Sequence, residues 1–148
     1  MPYSSFDGRL HREEIAQKGW GKWPGAIPWT SPYAENGVVY VVDANGASAW
    51  KLPAKLEDSV QLQPLWKTPV PSDRYYASPL LHDGLLYAMT QTSHLTVLEA
   101  ATGAVVYQRA LDLGGTAYPS FCLAGGKIFA SAESGKTVVF DPGREYRQ

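Results

Sequence analysis

The sequence predicts an all-β fold assembled from a repeated four-stranded unit. Three observations support this: turn-forming and aromatic residues are abundant, charged residues are few, and one segment recurs three times. The 148 residues include Gly 14 and Pro 11, 12% are aromatic, and 18% are charged, against about 25% in an average globular domain. A hydrophobic content of 45% excludes a disordered chain and suffices for a sizeable core.

The recurring segment combines a serine, a turn glycine and an aromatic strand residue. Spacings of 47 and then 42 residues separate its copies, for all three landmarks alike. The landmarks are Gly37, Gly84 and Gly126, then Tyr40, Tyr87 and Phe129, then Ser31, Ser78 and Ser120. A repeat of about 40–50 residues is the size of one four-stranded propeller blade, so the sequence predicts about three such blades.

The second copy shows its strands most clearly, because its apolar residues alternate and glycine-containing turns separate the alternating runs. The sequence predicts strands over Ala77–Leu81, Leu85–Thr90, His94–Glu99 and Ala104–Ala110. In the first copy a strand is predicted over Ser48–Leu52, and a longer polar connection over Pro53–Pro64 follows it.

Residues 1–28 are predicted to be a separate, irregular or short helical segment. Leu10–Lys18 could form two helical turns that end at Gly19. The blades are expected over approximately 29–70, 75–112 and 117–148, and the third stops just after Tyr146, early in its last strand. Closed propellers typically have four to eight blades. We therefore expect a truncated fragment, or a chain that completes its ring by oligomerising through its open blade edges.

Composition and charge exclude several classes of protein. A net charge of −1 gives no basic footprint for nucleic acid, and the longest apolar run, Val38–Val42, is far too short for a membrane span. Met1–Gly8 has no apolar run, so this chain shows no signal peptide. The single cysteine excludes an internal disulfide; Cys122, between two apolar residues, is expected to be a small buried hydrophobe.

Several short motifs resemble reactive or metal sites but are better interpreted as turns. Asp43–Gly46 begins like a calcium loop, yet no acidic residues follow at the remaining ligand positions, which favours a hairpin turn. Gly135–Thr137 resembles the end of a phosphate-binding loop, but a strand rather than a helix follows it. The three recurring serines are expected to make structural hydrogen bonds, since a nucleophile is needed only once.

Two groups of aromatic residues are the predicted contacts for a ligand or a partner. Trp20 and Trp23, with Trp29, could form a sugar or peptide platform, although packing over a blade edge is the preferred interpretation. Tyr75 and Tyr76 lie in a connection between blades, and such loops line the propeller face that usually carries binding sites.

The repeated unit resembles the PQQ-like repeat β-propellers, the quinoprotein alcohol dehydrogenase-like repeats. In that family an Asx-Gly hairpin is followed by a Val-Tyr strand, a strand that ends in an acidic residue, a Thr-Gly turn, and a tryptophan that docks between blades. The second unit keeps Thr102-Gly103 but carries Glu99 for the usual Asp and Tyr107 for the usual Trp. The first unit keeps the tryptophan as Trp66. The resemblance covers roughly residues 29–146.

The resemblance implies a periplasmic or cell-surface protein and several alternative functions. The first expectation is a non-catalytic binding or scaffold module for protein–protein contact, as in the propeller subunit of outer-membrane assembly machinery. The alternatives are a fragment of a quinone- and calcium-dependent dehydrogenase, or a carbohydrate-binding propeller. The family's enzymes use an aspartate base, a calcium ion, an aromatic floor and often adjacent cysteines. None of these residues can be placed here, so no catalytic, cofactor or metal residue is predicted and no cofactor is expected.

Overall fold

The computed structural model describes residues 30–55 and 62–148. Every regular element in these ranges is a β-strand, so the described chain has no helix that could span a membrane. The predicted helix over Leu10–Lys18, together with Trp20, Trp23 and Trp29, lies outside the described residues.

Eleven strands form three antiparallel sheets that follow one another along the chain. The first sheet has the order β1-β2-β3-β4, the second β5-β6-β7-β8, and the third β9-β10-β11. Their bounds are β1 Tyr33–Glu35, β2 Val38–Asp43, β3 Gly46–Lys51, β4 Gln63–Thr68, β5 Leu80–His82, β6 Leu85–Met89, β7 His94–Glu99, β8 Val105–Ala110, β9 Cys122–Ala124, β10 Lys127–Ser131 and β11 Thr137–Phe140. The predicted all-β fold of consecutive antiparallel blades is confirmed, with three rather than four strands in the described third sheet.

Each sheet opens with the same tight hairpin. The two central residues have positive φ in all three: 50° and 74° in the first, 46° and 74° in the second, 56° and 73° in the third. This conformation matches the twist of the paired strands and favours Asn, Asp and Gly. The turn residues are Asn36-Gly37, Asp83-Gly84 and Gly125-Gly126. The chain therefore carries suitable residues wherever this turn occurs.

The cross-strand registers of the first two sheets correspond closely. Tyr40 pairs with Ala49, which pairs with Trp66 on the fourth strand. In the second sheet Tyr87 pairs with Val97, which pairs with Tyr107. A bulge follows Ala49 in one sheet and Val97 in the other. Trp66 and Tyr107 thus occupy the same position, as the family pattern implied.

The first and second sheets bury a shared core and are tied together by Trp66. Tyr40 and the small residues of β3 pack against Leu86 and Leu98 of the second sheet. Trp66 donates its indole N–H to the carbonyl of Ala100 at 2.8 Å, and Thr68 donates its hydroxyl to the carbonyl of Gly103 at 2.6 Å. The outer strand of one sheet is therefore anchored on a turn of the next.

A second core joins the second and third sheets. Tyr87 is fully buried and packs against Phe140, with 6.5 Å between ring centroids. The backbone N–H of Gly143 donates to the Tyr87 hydroxyl at 2.8 Å, while Tyr146 packs on Phe140 at 5.4 Å. Arg109 lies 4.5 Å above the Tyr146 ring. Residues 141–148 therefore cover this core without forming a strand.

The structure differs from the sequence predictions in two places. The first strand of the second sheet begins at Leu80 rather than at Ala77, because Pro79 cannot donate to a ladder and the Ser78 N–H bonds outside the sheet. The prediction that Cys122 is buried is wrong: its side chain is exposed. Cys122 lies in the row of Phe129 and Val139, and no described sheet covers that face.

Candidate interaction surface

Two connections between sheets run along the turns of the sheet that follows. The N–H of Gln91 donates to the Arg74 carbonyl at 2.7 Å, and 42 residues later that of Glu133 donates to Thr116 at 3.0 Å. The N–H of Ala117 also donates to the Gln91 carbonyl at 3.0 Å. We call the surface formed by residues 71–76, 90–93 and 114–118 the connection face.

Tyr75 and Tyr76, adjacent in sequence, point to opposite environments. Tyr75 is only 3% exposed, packs in the core between the first two sheets, and donates its hydroxyl to the Pro71 carbonyl at 2.9 Å. Burial, with smaller contributions from Asp73 and Asp43, raises the pKa of the Tyr75 phenol. Tyr75 therefore holds the connection against the core, and only Tyr76 is placed to meet a partner.

Tyr76 stacks on Tyr118 of the following connection. Their ring centroids are 4.7 Å apart and the planes are tilted by 40°, an arrangement typical of favourable aromatic pairs. Tyr118 is 50% exposed, and the guanidinium of the exposed Arg74 donates to the Tyr76 hydroxyl at 3.4 Å. We call Tyr76 and Tyr118 the tyrosine pair. It gives the connection face a preformed aromatic platform beside a cation.

Tyr118 was not singled out from the sequence, although a signal for it was present. It follows Tyr76 by 42 residues, the same spacing as the glycines, aromatics and serines. Trp29 precedes Tyr76 by 47 residues, so the first repeat carries an aromatic at this position too; it lies outside the described residues.

Asp73 supports the platform from beneath. Its carboxylate accepts hydrogen bonds from the Arg74 backbone N–H at 2.7 Å, the Gln91 amide at 2.8 Å and the Thr92 hydroxyl at 2.7 Å. Burial tends to raise the pKa of Asp73, but these hydrogen bonds, from Thr92 above all, outweigh it and hold the pKa below its ordinary 3.8. Asp73 is thus a charged acceptor that fixes the connection on the next sheet.

The motifs interpreted as turns have that role in the structure. The Asp43 carboxylate accepts the Asn45 backbone N–H at 2.7 Å inside the β2–β3 turn. Gly135, with φ 81°, lies in the turn between β10 and β11, at the position that Ser93 occupies in the second sheet. Within residues 30–55 and 62–148 no three His, Cys, Asp or Glu side chains are grouped so that they could hold a metal ion.

The recurring serines make a chain of hydrogen bonds from sheet to sheet. The Ser31 N–H donates to the Ser78 hydroxyl at 3.1 Å, and the Ser78 N–H donates to the Ser120 hydroxyl at 3.0 Å. Each serine thus connects its sheet to the next. The interpretation of these serines as structural is confirmed.

Comparisons with known proteins identify the fold. No family profile and no curated protein matches the chain. Among solved structures, BamB from Moraxella catarrhalis matches with a TM-score of 0.56 and 15% identity, over 78% of this chain and 32% of that one. The computationally designed Ika8 protein matches with a TM-score of 0.58 and 11% identity, over 75% and 32%. A europium-containing methanol dehydrogenase matches with a TM-score of 0.53 and 17% identity, over 74% and 22%.

The three sheets are therefore consecutive blades of a β-propeller. The propeller is of the PQQ-like kind, and the chain spans about a third or less of the proteins it matches. At these identities the likeness concerns the fold.

Proposed function

We propose that this chain is a non-catalytic interaction module of a PQQ-like β-propeller, and that it contacts a protein partner through the tyrosine pair on its connection face. The observation that carries the proposal is the stacked, solvent-facing arrangement of Tyr76 and Tyr118 beside Arg74. Tyrosine and arginine are enriched where protein interfaces concentrate their binding energy.

The rigidity of the platform supports a binding role. Backbone hydrogen bonds fix both connections on the following sheets, and Asp73 adds side-chain bonds to Gln91 and Thr92. A partner that packs on the tyrosine pair would therefore order few groups that are mobile in the free protein, which lowers the entropic cost of binding.

The nearby carboxylates support a non-catalytic role. Asp73 is held ionised by its donors, with a lowered pKa, whereas a general base works best with a pKa near the working pH. Asp43 is buried and engaged in its own turn. On this proposal the chain needs no quinone and no calcium ion. Addition of the quinone with Ca²⁺ should change neither its absorbance nor its melting temperature, and a shift in either would favour the dehydrogenase alternative.

The protein-contact role can be tested by site-specific photocrosslinking. A photoreactive phenylalanine analogue replaces Tyr118 in one sample and Leu65 in another, since both side chains are about half exposed but Leu65 lies on β4, away from the connection face. We expect a discrete adduct with one protein from Tyr118 only. With that purified protein, Tyr118→Ala should weaken binding by about thirtyfold, the loss expected for an interface hot spot.

Three results would contradict the proposal. These are equal crosslinking from both positions, unchanged affinity of the Tyr118→Ala protein, or saturable quenching of tryptophan fluorescence by a sugar that Tyr118→Ala abolishes. The last result would favour the carbohydrate-binding alternative. We place the protein in the periplasm or at the cell surface as part of the same proposal, on fold resemblance; fractionation of cells that carry the full gene tests that placement.

A further inference from the structure

The third blade lacks the strand that completes the other two. In the first and second sheets the fourth strand places an aromatic residue beside the third strand: Trp66 opposite Ala49 and Tyr107 opposite Val97. In the third sheet β11 is the edge, and Val139 is the residue that such an aromatic would face. An edge strand of this kind presents unpaired backbone groups to another segment.

One face of the third sheet is also uncovered. The equivalent positions Tyr87 and Val97 of the second sheet are fully buried by the blade that follows. In the third sheet Val139 is 37% exposed, Cys122 is exposed and Phe129 is partly exposed. The described third blade therefore has both a vacant strand position and an apolar face that a neighbouring blade would bury.

The N-terminal sequence carries the spacing of a fourth strand. Trp66 precedes the recurring serine of the next blade by 12 residues, and Tyr107 precedes it by 13. Trp20 precedes Ser31, the serine of the first blade, by 11 residues. By this spacing residues 17–22 correspond to the outer strand of a blade that comes before the first one.

The connections show which sheet that strand would join. Between β4 and β5, and between β8 and β9, the chain passes from the outer strand of one blade to the inner strand of the adjacent blade. The strand ahead of β1 therefore belongs to a blade that adjoins the first on the side away from the second. Within one chain the second blade separates the third from the first, and closed propellers typically have at least four blades.

We propose that two copies of this 148-residue chain associate head to tail into a six-bladed ring. Residues 17–22 of each copy add to β11 of the other as the missing fourth strand, with Trp20 opposite Val139. Six blades fall within the four to eight of closed propellers, and reciprocal exchange of a segment is a common route to a symmetric dimer. This association uses a different surface from the tyrosine pair and does not depend on the proposed function.

The association can be tested by light scattering with two complementary variants. The wild-type chain should have the mass of two copies in the micromolar range. Trp20→Ala should raise the dissociation constant of the dimer by about thirtyfold, as expected for a buried aromatic anchor. Val139→Arg should weaken the dimer too, while Trp23→Ala, outside the proposed strand, should leave it unchanged. Circular dichroism checks that each variant is folded.

Mixing the two variants gives the decisive measurement. A mixed dimer of Trp20→Ala with Val139→Arg has one interface that keeps both native residues, so mixing should restore the dimer. A face-to-face dimer would gain nothing from mixing and would form a Cys122 disulfide between copies. That result, or a wild-type chain that remains monomeric across the same concentrations, would overturn the proposal.

Discussion

Replacing Gly103 by alanine should loosen the contact between the first two blades. Gly103 has a φ of 75°, and a Cβ there would lie 2.5 Å from Cε3 of Trp66 and 2.6 Å from the Thr68 hydroxyl. Two costs therefore add. The left-handed backbone costs an alanine about 1–2 kcal/mol. The displacement of a packed indole costs about 1–3 kcal/mol more.

The chain provides a matched control at Gly84. Its φ is 74°, but an added Cβ would meet nothing within 4 Å. Gly84→Ala should therefore lower the free energy of unfolding by the backbone cost alone, about 1–2 kcal/mol. Gly103→Ala should lower it by about 2–5 kcal/mol in total. For a chain of this size each kcal/mol lowers the melting temperature by about 2–4 °C.

Urea unfolding followed by tryptophan fluorescence, at one fixed protein concentration, measures both variants. The Trp66→Ala background adds a further check, because removal of the indole should return part of the extra cost of Gly103→Ala. Equal losses for Gly84→Ala and Gly103→Ala would refute the conclusion that Trp66 docks closely on this turn.

Three further substitutions test the serine chain, Asp73 and Tyr107. Ser78→Ala removes the acceptor of the Ser31 N–H and should lower the free energy of unfolding by about 0.5–1.5 kcal/mol in urea titrations. Asp73→Asn should flatten the acid limb of stability against pH: the pKa of Asp73 in the folded chain is below 3.8, so its contribution is present above about pH 4 and is lost as the pH falls through the lower value. Tyr107→Phe should be neutral or stabilise the fold by up to about 1 kcal/mol, because the buried Tyr107 hydroxyl has no hydrogen-bond partner in the described chain. Burial raises its pKa to about 12, so the wild-type chain should lose stability between about pH 10 and 12 where Tyr107→Phe loses less.

Each of these substitutions has a control or an excluding result. Ser72→Ala, at an exposed serine of the same connection, should leave the urea midpoint unchanged. An acid limb that is the same in wild type and Asp73→Asn would exclude the stabilising role of that carboxylate. A loss of more than about 1 kcal/mol in Tyr107→Phe would show that the phenol is hydrogen-bonded, since only a satisfied group costs that much to remove.

Local sequence specified the strands and turns of this protein well. The Asn-Gly, Asp-Gly and Gly-Gly pairs form hairpins because these residues tolerate positive φ, a property that needs no distant contact. The position of Trp66 at a blade junction also followed from the repeat pattern, since equivalent positions of stacked sheets meet equivalent neighbours.

The candidate site was only partly visible in the sequence. Tyr76 could be selected for its place in a connection, but adjacent side chains on an irregular segment have no fixed alternation, so the burial of Tyr75 could not be foreseen. The contact between Tyr76 and Tyr118 depends on how two connections lie over neighbouring blades.

The sequence by itself determined the all-β class, the turn positions, the repeat spacing and the structural role of the recurring serines. Each of these depends on local backbone preference or on periodicity, which a linear chain carries directly. Only the tertiary structure decided which faces are covered. Cys122 and Val139 have the residue types of a core but are exposed, because burial depends on whether another sheet lies against that face.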